Sequence, residues 1–328
     1  MKILLLISAV ILFSTSNILS QSNSTKLSQL NFSAIDKEGK AIANLTKDDI
    51  SLTIGKTQVK IESLQSIANE PLEVVLVIDA TPSQDRVLPI VKKIAAGFID
   101  KILNPKKDSV SIAHFTNKSV KFTPLTNTFA TAKKDIDSIK TAKGNSQIRD
   151  SLNFVIENSF SKSEGSRKII LLISDGFDID SRISSDKLSK RLIDSNIRLL
   201  TFCLQDYEYF APNYSFSSPV DILAISRNSG GSAFRFVKST KVGNLTVFND
   251  ISSDGAFLFL KEPKYEDINR VLNTIKERLS GDYLIQFSIK DFSDKSKIEN
   301  IKISFLKNEK RKPSVNLFHQ KEFYIENH

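Results

Sequence analysis

Hydrophobic and polar positions follow three patterns, which divide the chain into two β regions and a central α/β region. In residues 28–67 apolar residues alternate with polar ones, as at Leu30, Phe32 and Ala34. Alternation returns in residues 282–328. A period of two places every second side chain on the same face, so both ends are predicted to form strands with one buried face.

The central residues, 72–280, have a different pattern. Residues 74–78 and 169–173 are continuous runs of apolar, mostly β-branched residues, and each run ends at a loop that contains Asp. Strands buried on both faces have this composition, which is typical of a parallel sheet covered by helices. Between the strands, apolar residues recur in steps of three and four, as amphipathic helices require. Such stripes are Val87, Val91, Ile94, Phe98 and Ile102; Ile148, Leu152 and Val155; and Ile268, Leu272, Ile275 and Leu279.

This order predicts a doubly wound α/β fold with a mostly parallel sheet and helices on both faces. Each β region is too small to be stable alone, so we expect the two to pair into one small β module that carries the α/β domain as an insertion. The predicted boundaries are residues 21–70 for the N-terminal β segment, 71–281 for the α/β domain and 282–328 for the C-terminal β segment.

The first 20 residues are expected to be a secretory signal peptide. Lys2 precedes a predominantly apolar run at residues 3–13, and mostly polar residues follow it up to Ser20. The apolar run is shorter than the roughly 20 residues that a membrane-spanning helix needs. No later run is long enough either, so the mature chain is predicted to lack a transmembrane segment and to be periplasmic or secreted.

Composition narrows the choice of partner. The 328 residues include 46 Lys and Arg against 37 Asp and Glu, a net charge of +9. The basic residues are dispersed along the chain, which indicates a solvated surface rather than a nucleic-acid footprint. A single Cys excludes an intrachain disulfide and a cysteine-based zinc site.

Candidate chemistry lies in three loops. Ligands of open α/β sheets bind beyond the carboxyl ends of the strands. Asp79, Thr81 and Ser83 follow the first buried strand, Asp175 follows the later one, and Ser146 precedes a helix between them. Hard oxygen ligands with few full charges suit Mg²⁺, with Mn²⁺ or Ca²⁺ as alternatives. Such a site leaves a coordination position that an acidic residue of a partner protein could fill.

These three loops resemble the metal-ion-dependent adhesion site of the von Willebrand factor type A domain. The matching segments are Asp79-Ala-Thr81-Pro-Ser83, Gly144-Asn-Ser146 and Ser174-Asp175-Gly176. The resemblance spans about residues 70–280, and the flanking β segments are similar to those of related exported bacterial proteins. It implies a doubly wound fold, metal binding through the hydroxyls of Thr81, Ser83 and Ser146, and metal binding by Asp79 and Asp175 directly or through water.

Several alternatives stay open at the level of sequence. Ser146 stands where the family has Thr, and the nearby Thr141 is a rival for that position. Asp79 could instead cap a helix, and the Asp175-Gly pair could be a simple turn.

The sequence therefore predicts an exported, metal-dependent protein-binding protein that is not an enzyme. A structural or assembly subunit with a vestigial metal site is the first alternative, and a metal-dependent hydrolase that uses His114 as a base is the second. A loop rich in aromatic residues is expected to add contact area for the partner. Its aromatic residues are Tyr207, Tyr209, Phe210, Tyr214 and Phe216. Residues 239–264 are expected to form a lid or an additional strand pair.

Overall fold

The computed structural model describes residues 27–116, 119–161, 165–206, 220–238, 265–288, 297–306 and 315–325. The predicted signal peptide, the five aromatic residues of the 207–216 loop and the 239–264 segment lie outside these ranges. No helix in the described ranges is long and apolar enough to cross a membrane.

Fourteen strands and six α-helices make up the described part of the chain. The strands are β1 (Leu27–Ile35), β2 (Ile50–Ile54), β3 (Thr57–Val59), β4 (Ile61–Ser66), β5 (Leu72–Asp79), β6 (Ser109–Thr116), β7 (Ser119–Phe122), β8 (Arg167–Ser174), β9 (Ile197–Asp206), β10 (Ser232–Lys238), β11 (Asp282–Ser288), β12 (Lys297–Phe305), β13 (Asn316–His319) and β14 (Glu322–Ile325). The helices are α1 (Leu88–Ile102), α2 (Phe129–Ser138), α3 (Ile148–Asn158), α4 (Ser185–Asp194), α5 (Val220–Asn228) and α6 (Tyr265–Ser280).

The central sheet has six strands in the order β10-β9-β8-β5-β6-β7, and only β7 runs antiparallel to its neighbour. Every residue of β5 is buried, because helices cover both faces of the sheet. Val74, Leu76 and Ile78 pack towards α1, α2 and α6. Val75 and Val77 pack towards α3, α4 and α5. The predicted doubly wound α/β fold is confirmed.

The two ends of the chain pair with each other. One antiparallel sheet has the order β13-β1-β11-β4, and a second has the order β14-β12-β2-β3, so each sheet combines N-terminal and C-terminal strands. Their inner faces share one hydrophobic cluster that includes Phe32, Leu52, Tyr283 and Ile303. The rings of Phe32 and Tyr283 stack with their centroids 5.4 Å apart. The predicted β module formed by both flanks is therefore present.

A buried ion cluster joins the α/β domain to the β module. Asp282, the first residue of β11, is 1% exposed and lies between two arginines of the central sheet. Arg167 Nη1 donates to Asp282 Oδ2 at 3.0 Å, and Arg198 Nη1 donates to Asp282 Oδ1 at 2.8 Å. Ser33 Oγ of β1 donates to the same carboxylate at 2.5 Å. One carboxylate thus connects β8 and β9 with β1 and β11.

We expect the substitution Asp282→Ala to lower the free energy of unfolding by about 3–5 kcal/mol, because it leaves two buried guanidinium groups without their anion. Urea denaturation followed by circular dichroism measures the change. The control Asp100→Ala removes the exposed pair with Lys133, whose nitrogen lies 2.9 Å from Asp100 Oδ1. That control should change stability by less than about 1 kcal/mol. Equal small effects of both substitutions would contradict a structural role for the cluster.

Candidate metal centre

The two acidic residues of the candidate site lie at the carboxyl ends of adjacent parallel strands. Asp79 is the last residue of β5, and Asp175 follows Ser174, the last residue of β8. β5 and β8 are paired in register from Leu72 with Arg167 to Ile78 with Ile173. Their carboxyl ends therefore meet at the same edge of the sheet. Asp79 is fully buried and Asp175 is 1% exposed.

Asp79 is the centre of a hydrogen-bond network that reaches all three loops. Thr81 donates to Asp79 Oδ1 through its backbone N–H at 2.9 Å and its hydroxyl at 2.7 Å. On Oδ2, the hydroxyl of Ser146 donates at 3.1 Å and that of Ser174 at 2.7 Å. Four donors therefore surround one carboxylate that has no contact with solvent.

The remaining two predicted residues continue the same network. The hydroxyl oxygens of Thr81 and Ser83 lie 3.2 Å apart. The hydroxyl of Ser83 in turn lies close enough to the carboxyl of Asp175 to lower its pKa. The backbone N–H of Phe177 donates to Asp175 Oδ1 at 2.9 Å. The structure thus brings together Asp79, Thr81, Ser83, Ser146 and Asp175.

Thr141, the rival for the position of Ser146, has a different partner. Its hydroxyl donates to Asp85 Oδ1 at 2.7 Å and is exposed. Ser146 is 5% exposed and reaches the central carboxylate. The backbone explains the difference, because Ile179 N–H donates to the carbonyl of Ser146 at 2.7 Å and holds this loop against the loop that follows β8.

Further bonds join these two loops into one unit. Asn145 Nδ2 donates to Asp180 Oδ2 at 2.9 Å. Asp178 Oδ2 accepts from the N–H of Arg149 at 2.8 Å, in the first turn of α3. Asp150 accepts from the backbone N–H of Ile183 at 3.0 Å. Asp150 and Asp178 thus have structural roles, and they hold Ser146 and Asp175 in place.

Ser174 donates to Asp79, although the sequence pattern does not mark it as a functional residue. The sequence feature that could have indicated this role is its position as the last residue of a buried strand, directly before Asp175. Ser174 Oγ also accepts from Gly176 N–H at 3.1 Å, so it shapes the turn that carries Asp175. Cys203 of β9 contacts the same turn, since its Sγ donates to the carbonyl of Asp175 at 3.0 Å. Burial and the nearby Asp175 raise the pKa of this thiol, which favours its neutral form.

The electrostatics of the pair favour a cation. Burial raises the pKa of Asp79, although the hydroxyl and amide donors around it act in the opposite direction. Burial and the neighbouring charge of Asp79 raise the pKa of Asp175 to about 7. Two buried carboxylates and several hydroxyl oxygens are donors suited to a hard divalent cation. The residues present therefore fit Mg²⁺.

The site differs from a zinc site built of strong ligands. The described ranges contain no group of three or more His, Cys, Asp or Glu residues arranged to hold a metal. His114 lies in β6 beside Phe115, the residue that pairs with Asp79. Adjacent strand residues point to opposite faces, so His114 lies on the other face of the sheet. Burial and Lys121 lower the pKa of His114.

Comparisons with known proteins match part of the α/β domain. Residues 73–211 match the family model of the von Willebrand factor type A domain, whereas no curated protein matches the chain. The structure resembles BatB, a conserved hypothetical protein from Bacteroides thetaiotaomicron, with 16% identity and a TM-score of 0.43, over 63% of this chain and 98% of that chain. An aerotolerance-related membrane protein from Bacteroides fragilis, carrying multiple mutations to serines, gives 17% identity and a TM-score of 0.42, with the same coverage.

A third similar solved structure is that of proximal thread matrix protein 1 from the mussel byssus, whose metal-ion-dependent adhesion site (MIDAS) motif is occupied by zinc. Its identity is 13% and its TM-score 0.46, over 69% of this chain and 49% of that one, so this chain spans about half of its length. At such low identities and TM-scores, these likenesses indicate nothing about what this chain binds. The family match covers the α/β domain from β5 to β9 and leaves out α5, β10, α6 and the β module: residues 73–211 of this chain match the von Willebrand factor type A domain.

Proposed function

We propose that this chain is an exported protein-binding protein that holds a divalent cation, preferably Mg²⁺, and uses it to recognise an acidic residue of a partner protein. The observation that carries the proposal is the single network that joins Asp79, Thr81, Ser83, Ser146 and Asp175 around a buried pair of carboxylates. The type A domain supports a role as an interaction module rather than an enzyme. Export rests on the predicted signal peptide.

The five residues would provide two kinds of metal ligand, charged and neutral. Asp79 and Asp175 would supply the negative charge, and the hydroxyls of Thr81, Ser83 and Ser146 would supply neutral oxygen ligands. When bound, the cation supplies an electrophilic position that a carboxylate of the partner can occupy. Because the protein would contribute only two negative charges, a divalent cation would keep its affinity for an additional carboxylate.

The surface beside the site supports partner binding. Ile179 is 44% exposed, although its backbone is held against Ser146. Phe177, half-buried, follows Asp175 by two residues. Apolar side chains beside a polar centre can exclude water from it when a partner binds. The predicted aromatic loop at residues 207–216 remains part of the proposal as additional contact area.

The alternative of a structural or assembly subunit has one observation in its favour. Four donors from the protein already satisfy both oxygens of Asp79. A vestigial site would need such bonds, because its buried carboxylate would have no metal ion to compensate it. The two proposals differ in whether a metal ion changes the protein, and this difference can be measured.

We expect Mg²⁺ to raise the melting temperature of the mature protein relative to EDTA. A ligand at 100 times its dissociation constant stabilises the native state by about 2.7 kcal/mol, which corresponds to several degrees. Differential scanning fluorimetry measures the shift. Asp79→Ala should abolish it, and Ser146→Ala should reduce it. Thr141→Ala is the matched control, because it removes a nearby hydroxyl that is bonded to Asp85, and it should leave the shift unchanged. A shift that persists in Asp79→Ala would place the cation elsewhere.

Asp175→Asn should stabilise the metal-free protein and abolish its response to Mg²⁺. Asparagine keeps an oxygen for the N–H of Phe177 and removes one of two buried like charges. The gain at pH 7.5 in EDTA should be about 1 kcal/mol or more, since one pKa unit corresponds to about 1.4 kcal/mol. Urea denaturation measures it. The control Asp178→Asn should destabilise the protein, because Asp178 is paired with Arg149 at 3.0 Å. Destabilisation by Asp175→Asn would disprove the repulsion.

A peptide array tests recognition of a carboxylate. Each peptide with one Asp or Glu stands beside its Asn or Gln counterpart, with amidated C-termini, and is probed in Mg²⁺ and in EDTA. We expect capture of a subset of acidic peptides in Mg²⁺ only, and weaker capture by Ile179→Ser, which should keep the Mg²⁺ shift. Equal capture of acidic and amide peptides would refute metal-bridged recognition.

A further inference from the structure

Gln84 has an unusual environment beside the candidate metal centre. Its side chain is fully buried, and neither its Nε2 nor its Oε1 has a hydrogen-bond partner. In the part of the chain that the structure describes, no other side chain has two buried polar atoms without a partner. A buried amide that makes no hydrogen bond is unfavourable, because it has lost water and gained nothing in exchange.

The position of Gln84 connects it with the site. It is the last residue of the short 3-10 turn Pro82–Gln84, directly after Ser83. Its backbone is satisfied, since its N–H donates to Thr81 O and its carbonyl accepts from Val87 N–H, both at 3.0 Å. Its side-chain amide lies close enough to Asp175 to lower the pKa of that carboxyl, although the contact does not meet hydrogen-bond geometry. Only the amide group is left without a partner.

A second buried glutamine shows that the fold can satisfy such a side chain. Gln147 is 8% exposed, and its Nε2 donates to the carbonyl of Asp180 at 3.2 Å. Gln147 directly follows Ser146 in the loop before α3, so a buried glutamine beside the candidate site can find a partner within the protein. The unpartnered amide of Gln84 thus requires a reason that the protein atoms around it do not provide.

The chemistry of the site offers that reason. Both oxygens of Asp79 already accept two hydrogen bonds each, so they have little capacity for further donors. Mg²⁺ releases its water molecules reluctantly and usually keeps several of them when it binds to proteins. Water molecules held in this way need acceptors, and the amide oxygen of Gln84 is a buried acceptor beside Asp175.

We propose that Gln84 is a positioning residue of the metal centre, whose amide hydrogen-bonds the hydration shell of the bound cation. This inference rests on the proposed function and adds a residue that the adhesion-site pattern does not contain. Gln84 has no contact with a partner in this role, and it acts on the cation through water.

The test compares Gln84→Met with the wild-type protein in two measurements on the mature chain. Isothermal titration calorimetry with MgCl₂ gives the dissociation constant, and differential scanning fluorimetry in EDTA gives the melting temperature of the metal-free protein. Methionine has a similar length and no amide. We expect the dissociation constant to rise about 10–100-fold, as for other residues that support metal ligands indirectly. The melting temperature in EDTA should change little, because no hydrogen bond is lost and only the effect of the amide on the pKa of Asp175 is removed.

A matched control is Ser159→Ala. The hydroxyl of Ser159 is also buried without a partner, but it lies at the far end of α3. This substitution should leave the Mg²⁺ dissociation constant unchanged.

Gln84→Glu serves if Gln84→Met does not fold. It keeps the oxygen and adds a charge, so the metal-free protein should melt at a lower temperature and the Mg²⁺-dependent shift should increase.

An unchanged dissociation constant in Gln84→Met, with binding intact in the wild type, would overturn this inference alone. An unchanged Mg²⁺ shift in Gln84→Glu would do the same. Absence of Mg²⁺ binding by the wild-type protein would overturn both this inference and the proposed function.

Discussion

The carboxylate of Asp282 holds the two parts of this protein together. It lies where α6 ends and β11 begins, and it receives Arg167 and Arg198 from the central sheet. Gly281 makes the approach feasible, since a Cβ atom there would lie 2.4 Å from the carbonyl oxygen of Ala34. The α/β domain enters and leaves the β module near this point. One buried anion and two buried cations therefore contribute to its orientation on the module, together with backbone bonds such as that from Lys321 N–H to Asn228 O.

Buried charge has opposite consequences at the two ends of the central sheet. At the end nearer the β module, Asp282 is compensated by arginines and by the hydroxyl of Ser33. At the other end, Asp79 and Asp175 have hydroxyl and amide donors, but burial raises the pKa of both carboxyls and the charge of Asp79 raises that of Asp175 further. The first arrangement stabilises the fold by pairing. The second stores unfavourable energy where a cation would relieve it, so stability and metal binding are expected to be coupled there.

Hydrogen bonds hold the loops around the candidate site together. Asp150, Asp178 and Asp180 bond the loop before α3 to the loop after β8, which fixes Ser146 and Asp175 relative to each other. Asp79 then connects both with Thr81. A site preorganised in this way loses little conformational entropy when a ligand binds. Gln84 is the exception, because its buried amide has no partner within the described protein.

The sequence by itself determined the fold class and most of the candidate site. A continuous apolar run such as residues 74–78 is buried only if other elements cover both faces of its strand. The alternating β segments at the two ends are too small to be stable alone, so they must pair with each other. Asp79 and Asp175 could be placed together because the carboxyl ends of parallel strands share an edge.

Only the tertiary structure shows which polar residues of different loops contact each other. The separation of Ser146 from Thr141 follows from the bond between Ile179 and the Ser146 carbonyl, which has no signature in the sequence. Ser174 and Gln84 are ordinary polar residues in the sequence, and only packing shows that one reaches Asp79 while the other is buried without a partner. Arg167, Arg198 and Asp282 are far apart along the chain, so no local pattern predicts their ion cluster. Local periodicity specifies which face of an element is buried, whereas polar contacts between elements depend on how those elements are packed.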